Sequence, residues 1–244
     1  MLISVTAEAG KNNEIKETLD DKPFVGREYI GSAPRLDSPD YGRNVAGGDY
    51  PQAYLVIQPP DSTLPPHFHQ TNQFQVFVKG GGRLGKRRAD PITVQYAGCD
   101  TPYGPIIAEE QGVAYFTLRQ KWDSGAKYLP ASRDMMVTGR QRQHIATALN
   151  EHEATAKVMT LIAEEADGLA AMRYRLAAGE TAQIPDVQLG GGQYHVVICG
   201  SLLRQDQELG PLSVEFASSD EGKVDLVAGS RGVDVLVLRF PQTE

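Results

Sequence analysis

Two histidines separated by one residue, His67 and His69, precede a strand-like run in the segment LPPHFHQTNQFQVFVKGGG. Alternate side chains of an extended chain project to the same face, so Gln73, Gln75 and Phe77 share a face with both imidazoles. Neutral imidazole is a good ligand for divalent iron, nickel, zinc or copper. The pattern favours a metal or catalytic site, and the alternative is that the histidines cap a loop or satisfy hydrogen bonds in the core.

The elements that would position these residues are short and β-like. Runs rich in β-branched and aromatic residues are bounded by glycine, proline and other turn residues, which is typical of strands. They are QAYLVI, FQVFVK, ITVQY, AYFTL, YHVVIC and VLVLRF. Only the segment QRQHIATALNEHEATAK has helical spacing, with Ile145, Ala148 and Leu149 on one face of a predicted short helix.

An internal repeat organises the chain. Shifting the sequence by 120 residues without a gap aligns glycine, proline and apolar positions, among them Gly80 with Gly200 and Arg119 with Arg239. A constant offset over such a span predicts two copies of one β-domain. We expect domains at residues 25–130 and 155–244, a partly helical linker at 131–154, and an N-terminal extension, 1–24, that pairs with either domain.

The spacing His67-x-His69-x3-Gln73-x6-Gly80 resembles the first signature motif of the cupin superfamily, with Gln73 in place of the usual metal-binding Glu. The resemblance implies an all-β fold of two tandem jelly-roll barrels, each a double-stranded β-helix. It also implies a site in the first barrel: His67, His69 and Gln73 as catalytic and metal-binding residues, and Gln75, Phe77 and Tyr103 as substrate-binding residues.

The metal motif is incomplete, because Ile107 stands where the second cupin motif usually supplies a third histidine. A neutral amide holds a divalent cation less tightly than a carboxylate does. Replacement ligands would come from five residues: Tyr103, Glu109, Glu110, His144 and His152. Gln193 recurs at the position equivalent to Gln73 in the second repeat, which favours a structural hydrogen bond for both glutamines.

The second repeat has lost the histidine pair. Val187 and Leu189 stand at the two positions, and Val197 replaces Phe77, so we expect a filled barrel in which His195 is buried and hydrogen-bonded. Two further features distinguish the first repeat. A basic stretch from Lys79 to Arg88 predicts a solvated hairpin tip or an anion or partner contact. Three residues are candidates either to close the barrel mouth or to pack: Trp122, Tyr128 and Arg133.

The amino-acid composition limits the kinds of partner that the protein is expected to bind. The formal net charge of −7 argues against nucleic acid, whose binding is dominated by phosphate neutralisation. No apolar run approaches the roughly 18 residues needed to span a bilayer, and no basic leader opens the sequence. Cys99 and Cys199 lack the spacing of a zinc site or a disulfide framework. We therefore expect a cytoplasmic protein with free thiols and no membrane or nucleic-acid partner.

These features predict a small-molecule enzyme of the bicupin type, first of all a metal-dependent dioxygenase resembling quercetinases. The cofactor would be a divalent metal: iron, nickel, manganese or zinc. Two alternatives stay open. One is a metal-free isomerase or lyase in which His67 or His69 is a general base. The other is a binding or sensor protein without catalysis. Because cupins commonly associate through sheet edges, we also expect a homodimer.

Overall fold

The computed structural model describes residues 1–45, 48–148, 157–205 and 207–242 and is almost entirely β. Strand β1 (Leu2–Val5) and helix α1 (Ala7–Asn12) open the chain. Eleven strands follow: β2 (Glu14–Leu19), β3 (Lys22–Ile30), β4 (Gln52–Gln58), β5 (Thr63–Leu64), β6 (His67–Phe68), β7 (Gln73–Leu84), β8 (Arg87–Arg88), β9 (Thr93–Ala97), β10 (Ile106–Arg119), β11 (Lys127–Tyr128) and β12 (Gln143–Thr147). The remaining strands are β13 (Val158–Ile162), β14 (Ala170–Leu176), β15 (Thr181–Gln183), β16 (Gln193–Arg204), β17 (Gln207–Leu209), β18 (Val214–Ala217) and β19 (Asp225–Arg239).

The chain divides into two compact units. The N-terminal unit comprises residues 12–148, and the C-terminal unit comprises 1–11 and 149–244. The N-terminal extension is thus divided, because β1 pairs with β18 in the C-terminal unit while β2 pairs with β3 in the N-terminal unit. The N-terminal unit also reaches beyond residues 25–130 on both sides, taking in β2 and β12.

The N-terminal unit is built on one antiparallel sheet with the strand order β12-β9-β7-β10-β4-β3-β2. Strands β5 and β8 add to β10 and β7, and a separate two-stranded ladder joins β6 to β11. The buried core includes Phe77, Ile106, Val113 and Tyr115. The pair His67 and His69 lies on and just after β6, so its position depends on this small ladder as well as on the large sheet.

The C-terminal unit repeats the arrangement with the order β1-β18-β16-β19-β14-β13. Its core is aliphatic and contains Val197, as expected. Val187 is fully buried, but Leu189 is 48% exposed, so the prediction that both fill the interior is wrong for Leu189. The cause is a 3-10 turn at Val187–Leu189, which breaks the period-2 alternation that a strand would have given.

The predicted helix in residues 141–157 is wrong for its described part, because Gln143–Thr147 is strand β12. Ile145 lies opposite Gln95 of β9 and packs on the core of the N-terminal unit. The unpaired edge of β9 offers backbone hydrogen bonds that outweigh a weak local helical pattern. Leu149 and the rest of that segment up to residue 156 lie outside the described residues.

Two expectations about the bulk of the chain can be compared with the structure. Both cysteines are free thiols, as predicted. Within the described parts of the chain, no helix is long and apolar enough to cross a membrane.

Candidate small-molecule site

The two histidines are held by backbone pairing as well as by their side chains. His67 exchanges both backbone hydrogen bonds with Tyr103, at 3.1 and 3.0 Å, and its strand also pairs with β11. The rings of His67 and His69 meet edge to face with centroids 5.3 Å apart. Both side chains are almost fully buried. The two imidazoles therefore lie side by side in the interior of the N-terminal unit.

A chain of hydrogen bonds fixes the proton on His67. Nδ1 lies 2.7 Å from the carbonyl oxygen of Pro65, which can only accept, so Nδ1 carries the proton. Nε2 then accepts from the hydroxyl of Tyr103 at 2.8 Å. That hydroxyl in turn accepts a hydrogen bond from Nε2 of Gln73 at 2.5 Å. Gln73, Tyr103 and His67 thus form one ordered relay.

His69 is bound on both sides by charged groups. Its Nδ1 lies 2.7 Å from Oδ1 of Asp123, so this nitrogen donates to the carboxylate. Nη2 of Arg119 lies 3.0 Å from Nδ1 and 3.1 Å from Nε2 of the same ring. Because Nδ1 donates to Asp123, Nε2 is the atom that accepts from Arg119.

The guanidinium of Arg119 is the centre of the cluster and is fully buried at the end of β10. Its Nε and Nη2 both donate to Oε1 of Gln73, at 3.2 and 3.1 Å. Its Nη1 donates to Oε1 of Gln52 at 2.6 Å. The ring of Tyr54 lies 5.6 Å from the guanidinium carbon. The guanidinium therefore points its N–H groups at protein acceptors.

Electrostatics keep both histidines neutral. Burial lowers the pKa of His67 to about 4. Burial, followed by the nearby charge of Arg119, lowers the pKa of His69 to about 3. Burial opposes ionisation of Asp123, but contacts with His69, Arg119 and Lys127 outweigh it and hold the pKa of this carboxyl well below its usual range. The cluster at neutral pH thus contains ionised Asp123, cationic Arg119 and two uncharged imidazoles.

These residues do not fit a divalent metal. A metal on His69 would lie about 2.1 Å from Nε2, where the Arg119 guanidinium already approaches. The Nε2 lone pair of His67 is occupied by Tyr103. Gln73 uses its oxygen for Arg119 and its nitrogen for Tyr103. Among the described residues, no group of three or more His, Cys, Asp or Glu side chains is arranged to hold a metal.

Three of the five predicted replacement ligands lie away from the histidine pair. Glu109 pairs with Arg88 on the surface, and Glu110 is exposed. His144 lies on β12, opposite Tyr96. His152 lies outside the described residues. Of the four candidates that the structure describes, Tyr103 alone is at the histidines, and there it donates to His67.

A cavity of about 110 Å³ opens beside the histidine pair within the N-terminal unit. Its walls are mainly aliphatic and aromatic, and its polar side includes His67, His69, Gln75, Tyr103 and Arg119. The other lining residues are Ile15, Glu17, Leu19, Phe24, Val25, Gly26, Ala33, Pro34, Leu36, Tyr41, Tyr54, Val56, Leu64, Tyr115, Thr117, Ala126 and Tyr128.

The structure thus brings two of the three predicted substrate-binding residues to the cavity, Gln75 and Tyr103. Phe77 instead packs in the core, with its ring centroid 5.1 Å from that of Tyr115. Of the three residues considered for closing the barrel mouth, Tyr128 lines the cavity. Trp122 and Arg133 are not among the residues that line it.

Sequence reasoning missed Asp123 and Lys127 and gave Arg119 no role. Lys127 lies 3.4 Å from Asp123 and completes the buried cluster. Asp123 follows β10 in an irregular stretch and Lys127 begins the two-residue strand β11, and neither segment is long enough for periodicity to mark a buried residue. Arg119 did carry a signal: arginine ends an apolar run in both repeats, and both Arg119 and Arg239 are buried.

The C-terminal unit uses the equivalent positions differently. Arg239 donates to the backbone oxygens of Gly168 and Asp186 and to the carboxylate of Glu164. His195 is buried, as expected, with Nδ1 2.8 Å from Glu215. The arginine that ends the apolar run is therefore kept in both repeats, and only in the first is it joined to a histidine pair.

Comparison of the sequence with family models and with curated proteins finds no match. Solved structures do match. A bacterial pirin from Escherichia coli in complex with nickel(II) has a TM-score of 0.58 at 11% identity, covering 100% of both chains. A proposed dioxygenase from Nostoc punctiforme has a TM-score of 0.58 at 9% identity, covering 98% of this chain and 78% of that one.

An oxalate decarboxylase variant from Bacillus subtilis has a TM-score of 0.57 at 12% identity, covering 100% of this chain and 78% of that one. At such identities the likeness concerns the fold alone. It agrees with the antiparallel sheets of both units and with the resemblance of the His67 motif. The all-β prediction is therefore confirmed, and the chain has the cupin-type jelly-roll fold that these structures share.

Proposed function

We propose that the N-terminal unit binds a small molecule in the cavity beside His67 and His69 and does so without a metal cofactor. One observation carries the proposal. The buried guanidinium of Arg119 lies 3.1 Å from His69 Nε2 and 3.1 Å from Gln73 Oε1, between two of the three residues expected to hold the metal.

The positive charge of Arg119 is the reason why this observation supports the absence of a metal. Nickel(II) in the Escherichia coli pirin and manganese(II) in a Bacillus subtilis oxalate decarboxylase make a divalent metal the natural expectation for this fold. A divalent cation about 3 Å from a guanidinium would meet a repulsion on the order of 10 kcal/mol at an effective dielectric constant of 20. The guanidinium of Arg119 thus places a permanent positive charge beside His69 and Gln73, where a bound metal ion would have placed its own.

The cavity supports the binding half of the proposal. It is bounded mostly by apolar and aromatic side chains with a few converging polar groups, which is the usual composition of a small-molecule pocket. The oxygenase activity expected from the sequence needs a metal at His67 and His69. The arrangement of these side chains favours the two metal-free alternatives instead.

Proton transfer is a second candidate function, favoured by the contact between Tyr103 and His67 at the cavity wall. A substrate proton would pass to the Tyr103 oxygen while the Tyr103 proton passes to His67 Nε2, 2.8 Å away. Reversal of both steps would return a proton to another substrate atom, which is an isomerisation. Because burial lowers the pKa of His67 to about 4, only a substrate with an acidic proton would react.

Metal binding is the first test. We expect purified protein, titrated anaerobically with nickel(II), manganese(II) or iron(II), to bind less than stoichiometric metal by elemental analysis. A His67→Ala/His69→Ala double variant should behave in the same way, and His144→Ala controls for metal held by a histidine outside the site. Stoichiometric metal that is lost in the double variant and kept in His144→Ala would overturn the proposal.

A ligand screen separates binding from catalysis. We expect small cyclic compounds to raise the melting temperature by binding the native state, with no effect of added chelator. A compound that is recovered unchanged from D2O indicates binding alone. A compound that gains deuterium in the presence of wild-type protein, and not with Tyr103→Phe, indicates proton transfer. If no compound in a broad fragment screen binds at the cavity, the proposal fails.

A further inference from the structure

Two glutamines inside the N-terminal unit lack the hydrogen bonds that their burial demands. Gln75 on β7 is 2% exposed, lines the cavity, and has no partner for its Oε1 atom among the described residues. Gln95 on β9 is fully buried, and neither atom of its amide has a partner there. Leaving a buried polar group unpaired is costly, so such groups are normally satisfied by water or a ligand.

These two side chains lie together on the inner face of the sheet. Gln75 and Gln95 are directly opposite each other in the β7–β9 register, so their side chains project to the same side. Ile145 of β12, opposite Gln95, packs on the core and confirms that this side is the interior. The two amides make no hydrogen bond to each other, because both amide atoms of Gln95 are unpaired.

The second repeat shows that residues at the same two positions can bond to each other. A shift of 120 residues places His195 at Gln75 and Glu215 at Gln95, and these two residues are also opposite each other. His195 and Glu215 bond at 2.8 Å, and Glu215 also accepts from Arg204 and from Ser4. The two residues are therefore hydrogen-bonded to each other in the C-terminal unit, where Nε2 of His195 alone of the pair's side-chain polar atoms has no partner among the described residues, whereas in the N-terminal unit Oε1 of Gln75 and both amide atoms of Gln95 have none.

We propose that Gln75, in the cavity lining, recognises the head group of a neutral cyclic ligand that presents a hydrogen-bond donor beside an acceptor, as an amide does. Gln95 is not among the lining residues, and as the residue directly opposite Gln75 it is the neighbouring amide that this head group would meet next. The inference rests on the proposed function and specifies its ligand. An amide side chain offers one donor group and one acceptor, so it pairs with a second amide in a matched geometry. A volume of 110 Å³ fits a molecule of about ten non-hydrogen atoms, given about 10–15 Å³ for each water-sized site.

Charge disfavours an anionic ligand at this end of the cavity. The guanidinium of Arg119 directs its N–H groups to Gln52, Gln73 and His69, so the N–H groups in these contacts are already engaged. Glu17 adds a carboxylate to the lining. A carboxylate ligand would therefore lose its hydration without gaining a bidentate contact with arginine.

The test compares three probes of similar size that differ in their head group: benzamide, benzoate and toluene. We expect benzamide to bind the wild-type protein at least about tenfold more tightly than toluene, which corresponds to about one net hydrogen bond. Gln75→Leu should reduce this ratio to near one, and Gln95→Leu, which removes the neighbouring amide, should also reduce it. Gln183→Leu, on exposed β15 of the other unit, is the matched control and should keep the wild-type ratio.

The outcomes separate this inference from the proposed function. Equal affinities for benzamide and toluene in the wild-type protein would overturn the amide preference and leave metal-free binding intact. Tighter binding of benzoate would also overturn it and would assign recognition to Arg119. Absence of binding by all three probes would count against both. Because the wild-type comparison is sufficient by itself, a variant that fails to fold does not remove the test.

Discussion

The hydroxyl of Tyr103 is the hydrogen-bond partner of two buried side-chain nitrogens, Nε2 of His67 and Nε2 of Gln73. It accepts from Gln73 and donates to His67, and all three residues are buried. Removing it leaves the His67 acceptor and a Gln73 donor unpaired, which costs about 1–3 kcal/mol for each group. We expect Tyr103→Phe to lower the free energy of unfolding by at least about 2 kcal/mol, measured by urea denaturation.

Tyr115→Phe provides the control for this prediction. Tyr115 is also a buried tyrosine that lines the cavity, and its hydroxyl has no hydrogen-bond partner among the described residues. We expect this variant to change the free energy of unfolding by less than about 0.5 kcal/mol. Equal losses in the two variants would mean that the relay through Tyr103 contributes nothing specific.

Glu215 is expected to make the stability of the C-terminal unit depend on pH. Although burial opposes its ionisation, hydrogen bonds from His195 and Arg204 hold the pKa of this carboxyl below its usual 4.5. Because the folded-state pKa is lowered, the contribution to stability is complete above pH 4.5 and is lost as the pH falls below it. We expect Glu215→Gln to flatten the decline of unfolding free energy below pH 4.5, measured by denaturation at several pH values.

The same substitution should also lower stability at pH 7, by about 3–5 kcal/mol, because it removes one partner of a buried ion pair. Glu8→Gln on the exposed face of α1 is the control, and we expect the wild-type pH profile from it. If the unfolding free energy of Glu215→Gln declines below pH 4.5 as steeply as that of the wild-type protein, other carboxyl groups cause the loss of stability in acid.

At the scale of elements, one backbone feature recurs in both repeats. Gly80 and Gly200 have φ angles of +76° and +70°. A Cβ atom would lie 2.0 Å from the oxygen of Gly112 in the first case and 2.1 Å from that of Gly232 in the second. We expect Gly80→Ala and Gly200→Ala each to cost at least about 2 kcal/mol of unfolding free energy, from left-handed strain and backbone overlap.

Gly210→Ala is the control for both variants. A Cβ atom there meets nothing within 4 Å, and the φ angle is not in the left-handed region. We expect a change of less than about 1 kcal/mol by chemical denaturation, with either sign. If Gly80→Ala resembles Gly210→Ala, the close approach of β7 and β10 at this irregularity in their pairing is not required for the fold.

The strands could be predicted from sequence because each carries its own signal. Runs such as FQVFVK and VLVLRF alternate or concentrate apolar residues between turn residues, and the 120-residue offset fixes their correspondence. No comparable local signal indicates which strand pairs with which. Strand β12 forms because β9 has a free edge, and β1 pairs with a strand more than 200 residues away. The incorrect helix and the divided N-terminal extension have this common cause.

The candidate site was predictable in part for a similar reason. The histidine pair lies in one sequence motif and Tyr103 in a second, so the residue types in these motifs indicated an internal site. The proposal that no metal is bound depends on where a long side chain from the end of β10 directs its guanidinium. That is a property of packing around Arg119, and an arginine in an apolar run does not reveal it.

At the scale of the whole molecule, the homodimer expected from the sequence stays a prediction. Exposed apolar side chains lie on two strands at the sheet margins of the C-terminal unit, Leu2 on β1 and Val158 on β13. A strand edge of this kind offers unpaired backbone groups to a second chain. We expect light scattering at micromolar concentration to give twice the chain mass of 26.6 kDa, and a monomer would contradict the prediction.

Strand β1 also tests whether the two units depend on each other. It pairs with β18 from Leu2 to Val5, and Ser4 donates to Glu215 at 2.7 Å. The cavity is lined only by residues from Ile15 to Tyr128. Deleting residues 2–5 removes backbone partners from β18 and leaves every lining residue in place.

We therefore expect hydrogen exchange, followed by mass spectrometry, to accelerate in β18 and its neighbour β16 after this deletion. Exchange in β7 and β10 of the N-terminal unit should be unchanged, because local opening follows the loss of local hydrogen bonds. Replacing Ser4 by Ala, which keeps the backbone ladder, should produce a smaller acceleration confined to the surroundings of Glu215. Faster exchange in β7 after the deletion would contradict this expectation. It would mean that the stability of the N-terminal unit depends on β1, although β1 is not a strand of the N-terminal sheet.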